Sequence, residues 1–230
     1  MERVIDALTT RASSLQASIE TNRALESGSS RAIIILAGAP GSGKSTIAKE
    51  VVRRLNVNHQ IQTAFVLPMD GFHYSMAELN AMPNAEEAIA RRGAPWTFDA
   101  EGVVALFRQL RETAKLPPSD VPDILAPSFD HAIKNPVKND IRIGAHVSLV
   151  IIEGNWLLYD EKPWRQIRNL VDEAWYVDVD LDVARRRVAK RHIESGIMHD
   201  WDMALSRVDS NDMINANLVR DRLIEPDLPS

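Results

Sequence analysis

The sequence predicts an α/β fold in three layers, built on a mainly parallel sheet of five strands. Three observations carry that expectation. Residues 32–37 (AIIILA) form an unbroken apolar run of strand length, residues 147–152 are a further strong strand candidate, and amphipathic stretches of helical length separate such segments along the chain. A strand that is apolar on both sides needs cover on both sides, which parallel sheets obtain from crossover helices.

Taken in order, Val4, Ile5, Leu8, Leu15 and Ile19 recur at roughly helical spacing, so residues 3–25 read as an amphipathic helix. A short polar linker at 26–30 leads into the first strand, which ends in a glycine-rich turn and a helix over 45–55. Residues 61–67 read as a second strand leading to Asp70, and 78–91 as helix. A Gly/Pro/Trp loop covers 92–98, and Asp99 is placed to cap a helix running to about Lys115. Pro117, Pro118, Pro122 and Pro127 predict an irregular connector. Residues 147–152 and 175–179 give two more strands, 182–195 a strongly basic helix, and 211–223 a last helix. With no internal repeat, residues 1–230 are expected to form one domain, with 1–25 as an N-terminal helix.

Composition limits the function classes. Of 230 residues, 45% are hydrophobic and 26% charged, which suits a globular protein with a real core. The formal net charge of -5 argues against nucleic-acid and membrane-surface partners. Cysteine is absent, so disulfides and cysteine-based zinc sites are excluded. No apolar h-region opens the chain and no apolar run approaches the roughly 20 residues of a membrane span. A cytoplasmic protein is expected, and its oligomeric state stays open, with room for a homodimer.

The strongest chemical signal is Gly38-Ala39-Pro40-Gly41-Ser42-Gly43-Lys44-Ser45, a full match to G-x-x-x-x-G-K-[ST] between a buried strand and a helix. Glycines let successive backbone N–H groups approach phosphate oxygens, and the following helix adds the positive end of its dipole. Lys44 is expected at the β- and γ-phosphates, and the Ser45 hydroxyl on Mg²⁺. This sharpens the fold class to a P-loop NTPase. Ligand-facing groups of a parallel sheet lie beyond the carboxyl ends of its strands. Asp70 and Glu153 occupy such ends, as a kinase requires for orienting an attacking hydroxyl and for supporting the metal. Arg185, Arg186, Arg187, Lys190 and Arg191 crowd one helix of an acidic chain, and Arg187 and Arg191 share a face. They read either as a solvated face or as a helical lid over 182–200 that brings charge to the phosphates. Gly196 reads as a helix stop or a hinge, and Trp96 as a substrate-stacking or packing residue. The six histidines show no metal-ligand spacing.

The ordered set of motifs resembles the phosphoribulokinase, uridine kinase and pantothenate kinase superfamily. The matching residues are Gly38 through Thr46, Met69-Asp70-Gly71-Phe72, Ile152-Glu153-Gly154, and the stretch from Arg91 and Arg92 to Asp99 that follows R-x-G-x-P-x-x-[YF]-D. Pro127-Ser128-Phe129-Asp130-His131, Asn135-Pro136-Val137, and Asn211-Asp212 with Asn215 are most similar to its fructose-transport-system kinase-like (nucleoside/nucleotide kinase-like) branch. The resemblance spans about residues 30–222. It implies Asp70 as catalytic base near the metal and Glu153 beside Mg²⁺ and substrate. It also implies an acceptor pocket lined by Phe129, Asp130 and His131, with Asn155 as a further contact. Arg92 and His73 lie in matching motifs that face the site and are acceptor candidates, His73 reading equally as a hydrogen-bonded structural residue. Arg187 and Arg191 would reach the phosphates of ATP. The expected activity is therefore transfer of the γ-phosphoryl group of Mg-ATP to a hydroxyl of a small molecule such as a sugar, nucleoside or vitamin. A P-loop ATPase or nucleotide-binding regulator without an acceptor is the other reading. A guanine switch is disfavoured because Val137-Lys138-Asn139-Asp140 has valine where Asn-Lys-x-Asp needs asparagine.

Overall fold

The computed structural model describes residues 1–25, 30–57 and 62–229. Most of the expected linker, His59 and the start of the expected second strand at Ile61 lie outside the described residues.

Five strands form one parallel sheet: β1 (Ala32–Gly38), β2 (Ala64–Pro68), β5 (Leu149–Gly154), β6 (Glu173–Val177) and the two-residue β7 (Leu228–Pro229), in the order β2-β5-β1-β6-β7. The intervening β3 (Ile124–Asp130) and β4 (Asn135–Ile143) pair antiparallel as a separate ribbon. Alternation along the buried strand β1 divides the core. Ile34 and Leu36 pack with Leu8, Ile47 and Val51 from α1 (Glu2–Ala24) and α2 (Lys44–Asn56). Ile33 and Ile35 pack with Val103, Phe107 and Leu110 from α5 (Ala100–Thr113). Both faces of the sheet are therefore covered, giving the three layers that its unbroken apolar runs demand. Asp99 caps α5 as expected, its side chain accepting from the Gly102 N–H at 2.9 Å.

Two local expectations are corrected, and two elements are new. The helix expected over 78–91 is two short ones, α3 (Met76–Asn80) and α4 (Ala85–Ala90), because Pro83 cannot donate a helical hydrogen bond. The proline-rich connector contains the β3–β4 ribbon. Pro127 is tolerated there because the register shifts between Ala126 and Ser128, so no ladder donor is required of it. The basic helix α6 (Leu181–Glu194) is followed by α7 (Trp201–Arg207), a π-helical turn (Val208–Asp212) and α8 (Met213–Asp221); α7 and β7 carried no sequence expectation. Among the described residues no helix is long and apolar enough to cross a membrane.

Candidate active site

The site lies where three strand ends meet. Register sets Leu36 of β1 and Pro68 of β2 beside Glu153 of β5, so the phosphate loop, Glu153 and the turn carrying Asp70 emerge at one edge of the sheet. Asp70 sits in a 3₁₀ turn (Met69–Phe72) held against the β3–β4 ribbon. Gly71 is required at that turn, because a Cβ would collide with the Pro127 carbonyl.

Helix α2 starts at Lys44, directly after the loop, with its free N–H groups facing the cradle. A cleft of about 200 Å³ opens there, lined by Gly41, Gly43, Lys44, Ser45, Arg187 and Arg191. Helix α6 thus brings both expected arginines to the loop, and Arg187 donates to the Gly41 carbonyl at 3.3 Å. Gly41 has a φ of 79°, and a Cβ on it would lie 2.6 Å from the Ala184 carbonyl, so the loop and α6 pack backbone to backbone. Arg185 points elsewhere and pairs with Asp209 at 2.5 Å. Gly196 ends the α6 segment with a φ of 69°, the left-handed conformation of a helix stop.

The Ser45 hydroxyl donates to Glu153 at 2.8 Å, joining the phosphate loop to the acid at the end of β5. Glu153 is buried, and burial together with the nearby Asp70 charge raises its carboxyl above the usual range against the pull of Lys44 and Ser45. Burial likewise lowers the Lys44 ammonium, opposed by Glu153 and Asp70 and reinforced by Arg191. These opposed shifts describe a cationic and an anionic group held near each other with little water. Two carboxylates and a hydroxyl suit Mg²⁺, which takes few protein ligands and shares the rest between phosphates and water. Among the described residues no group of three His, Asp or Glu side chains converges into a closed metal cage.

Beyond the Asp70 turn the structure brings His73, Arg92, Phe129 and His131, all expected at the acceptor, together. His73 lies 3.9 Å from Phe98 and 5.0 Å from Phe129 between ring centroids, and Phe129 lies 5.2 Å from His131. The His73 Nδ1 contacts the Asp70 carbonyl at 2.8 Å, and burial lowers the ring's basicity. Arg92 sits 5.4 Å over the Phe129 ring and donates to the Lys134 and Tyr74 carbonyls at 2.7 and 3.0 Å, which makes it a brace between loop and ribbon. Asp130 accepts from the Ala132 N–H at 2.8 Å and so closes the β3–β4 turn. Asn155 follows Glu153-Gly154 with a buried Oδ1 that has no hydrogen-bond partner among the described residues. A cavity of about 290 Å³ touches Gly71, His73, Tyr74, Asp99 and Lys138, and one of about 490 Å³ adjoins it at Tyr74 and Asp99 and includes the exposed Trp96.

Sequence reasoning missed how the Arg91–Phe98 loop is held. The indole of Trp156 donates to the Gly93 carbonyl at 3.0 Å, Asn211 donates to the Arg92 carbonyl at 2.9 Å, and Arg91 donates to Asn215 at 2.9 Å. The i,i+4 spacing of Asn211 and Asn215 was the available signal, since it sets both on one helix face.

Known proteins place this architecture. The model of the Phosphoribulokinase / Uridine kinase family matches residues 33–202. A Schizosaccharomyces pombe protein named "Putative uridine kinase" is 41% identical over 209 residues, 90% of this chain and 86% of its own length. The "ATP-dependent kinase-like protein notR'" of Aspergillus versicolor is 46% identical over 156 residues, 67% of this chain and 89% of its own. The crystal structure titled "putative fructose transport system kinase" from Silicibacter sp. TM1040 superposes with a TM-score of 0.76 at 30% identity, covering 94% of this chain and 98% of that one. On this match of sequence and architecture, the chain belongs to the phosphoribulokinase/uridine kinase family of P-loop kinases.

Proposed function

We propose that the chain transfers the γ-phosphoryl group of ATP to a hydroxyl of a small molecule, with Asp70 as the base. The observation that carries this reading is the Ser45–Glu153 hydrogen bond of 2.8 Å, which unites phosphate loop and strand-end acid beside the Asp70 turn. Loop amides and Lys44 hold the β- and γ-phosphates, and Arg187 and Arg191 add charge from α6. Asp70 takes the proton of the acceptor hydroxyl as its oxygen bonds to the γ-phosphorus. The bond from that phosphorus to the bridging oxygen breaks, and ADP leaves with the electron pair. Ser45, Glu153 and Asp70 would hold Mg²⁺, which supplies charge neutralisation on the phosphates when bound.

A hydroxyl acceptor agrees with the relative named as a uridine kinase, since uridine carries free hydroxyls. The acceptor enters beside the wall of His73, Phe98 and Phe129, with Asn155 offering an unpaired carbonyl oxygen. ADP release by the purified protein, measured with and without sugars, nucleosides, polyols and vitamins, tests the reading. Stimulation by one chemical class supports it, whereas a flat response leaves only nucleotide hydrolysis.

A further inference from the structure

Helix α7, the π-helical turn and α8 run on from one another, and the Met213 N–H donates to the Val208 carbonyl five residues back. Such single-turn insertions shift the register of the residues after them and are frequent at functional sites. Here the turn has two sides. Toward α6, Asp209 takes both ends of the Arg185 guanidinium at 2.5 and 2.6 Å, Asp212 lies 3.9 Å from His192, and Val208 packs with Val188 and Ala189. Toward the acceptor loop, the buried Asn211 donates to the Arg92 carbonyl, while Arg91 donates to Asn215 at 2.9 Å and to the Ser210 carbonyl at 3.3 Å.

Each side continues to a different part of the site. Helix α6 touches the phosphate loop at Gly41 and carries Arg187 and Arg191. The loop held by Asn211 carries Arg92, which grips the Tyr74 and Lys134 carbonyls and covers Phe129. One contiguous set of contacts therefore runs from the nucleotide cradle to the acceptor wall.

We infer that the π-helical turn Val208–Asp212 couples the two halves of the site, with Asn211 as a positioning residue that transmits the seating of α6 on the nucleotide to the Arg91–Phe98 loop. This rests on the proposed nucleotide site. A nucleotide that draws Arg187 and Arg191 onto its phosphates fixes α6, the turn follows through Arg185 and Asp209, and Asn211 fixes the Arg92 carbonyl. Acceptor binding then meets a loop already ordered, which is positive coupling between the two substrates.

Hydrogen–deuterium exchange with the β,γ-imido analogue of ATP and Mg²⁺ tests this without knowing the acceptor. In the wild-type protein the analogue should slow exchange across residues 38–46 and also across 91–98, the latter by about fivefold or more. Asn211→Ala should keep the effect at 38–46 and lose it at 91–98. Arg185→Gln, which removes only an exposed ion pair and leaves the fold intact, should reduce the effect at 91–98 at least about twofold. A purely structural role would alter basal exchange but not the change that the analogue induces. Protection of 38–46 without protection of 91–98 in the wild type, or full protection of 91–98 in both variants, overturns the inference and leaves the proposed function standing. No protection at 38–46 would remove the nucleotide site and the inference with it.

Discussion

Replacing Glu153 by glutamine should stabilise the nucleotide-free protein while disabling it. The side chain is 6% exposed and accepts the Ser45 hydroxyl at 2.8 Å, a bond that an amide oxygen retains. What the substitution removes is a buried charge. Its carboxyl lies above the ordinary value of 4.5 because burial and Asp70 outweigh Lys44 and Ser45, so the surroundings on balance disfavour the anion. Single stabilising substitutions commonly gain about 0.5–2 kcal/mol, and the relief of this charge is expected within that range. In a chain of this size each kcal/mol is about 2–4 °C of Tm. The pH dependence follows from linkage. As pH rises, the unfolded chain releases this proton first and the folded protein later, so the wild type loses stability between the two values and stays level above them. The advantage of Glu153→Gln should thus grow as pH rises and vanish as pH falls toward 4.5. Thermal denaturation of both proteins without nucleotide, at pH 5 to 8, measures it, and turnover should fall by about 10² or more. A variant less stable than wild type at pH 8, or a Tm gap that does not narrow on acidification, would refute this account of Glu153.

Lys44→Ala should abolish turnover by removing the cation at the β- and γ-phosphates, and ADP release at the wild-type rate would take the phosphate loop out of the mechanism. Asp70→Asn should lower kcat by about 10² or more while nucleotide still binds in calorimetry, as befits a group that acts on the acceptor proton. Gly71→Ala should cost about 1–3 kcal/mol and lower Tm, because the new methyl group meets the Pro127 carbonyl and the turn bearing Asp70 must move. Chelation of divalent cations with EDTA should stop ADP release, and added Mg²⁺ should restore it.

The fold was legible where one physical signal dominated. The apolar runs of β1 and β5 announced a sheet buried on both faces, and the glycine-lysine-serine turn announced an anion cradle at the start of α2. The strand-end rule located Asp70 and Glu153, but the pairing of Glu153 with Ser45 depends on strand register, which local pattern does not contain. The proline count concealed β3 and β4, because a two-stranded ribbon with a register shift accepts a proline that a central strand would reject. Arg92 and Asp130 were expected at the acceptor. Their hydrogen bonds to the Tyr74 and Lys134 carbonyls and to the Ala132 N–H show Arg92 bracing its loop against the ribbon and Asp130 closing the ribbon's turn. Those partners lie in other segments or within a turn, so no spacing rule reveals them. Asn211 and Asn215 show the same limit, since their helical face was readable and the loop it meets was not.

The fate of the γ-phosphorus tests the central claim most directly. Phosphorus NMR of wild-type reactions, run with ATP, Mg²⁺ and the acceptor that stimulates ADP release, should show a phosphate monoester forming in step with ADP, and Asp70→Asn should suppress that signal. Inorganic phosphate as the only new resonance, at equal rates in both proteins, would contradict the assignment of a kinase with Asp70 as its base.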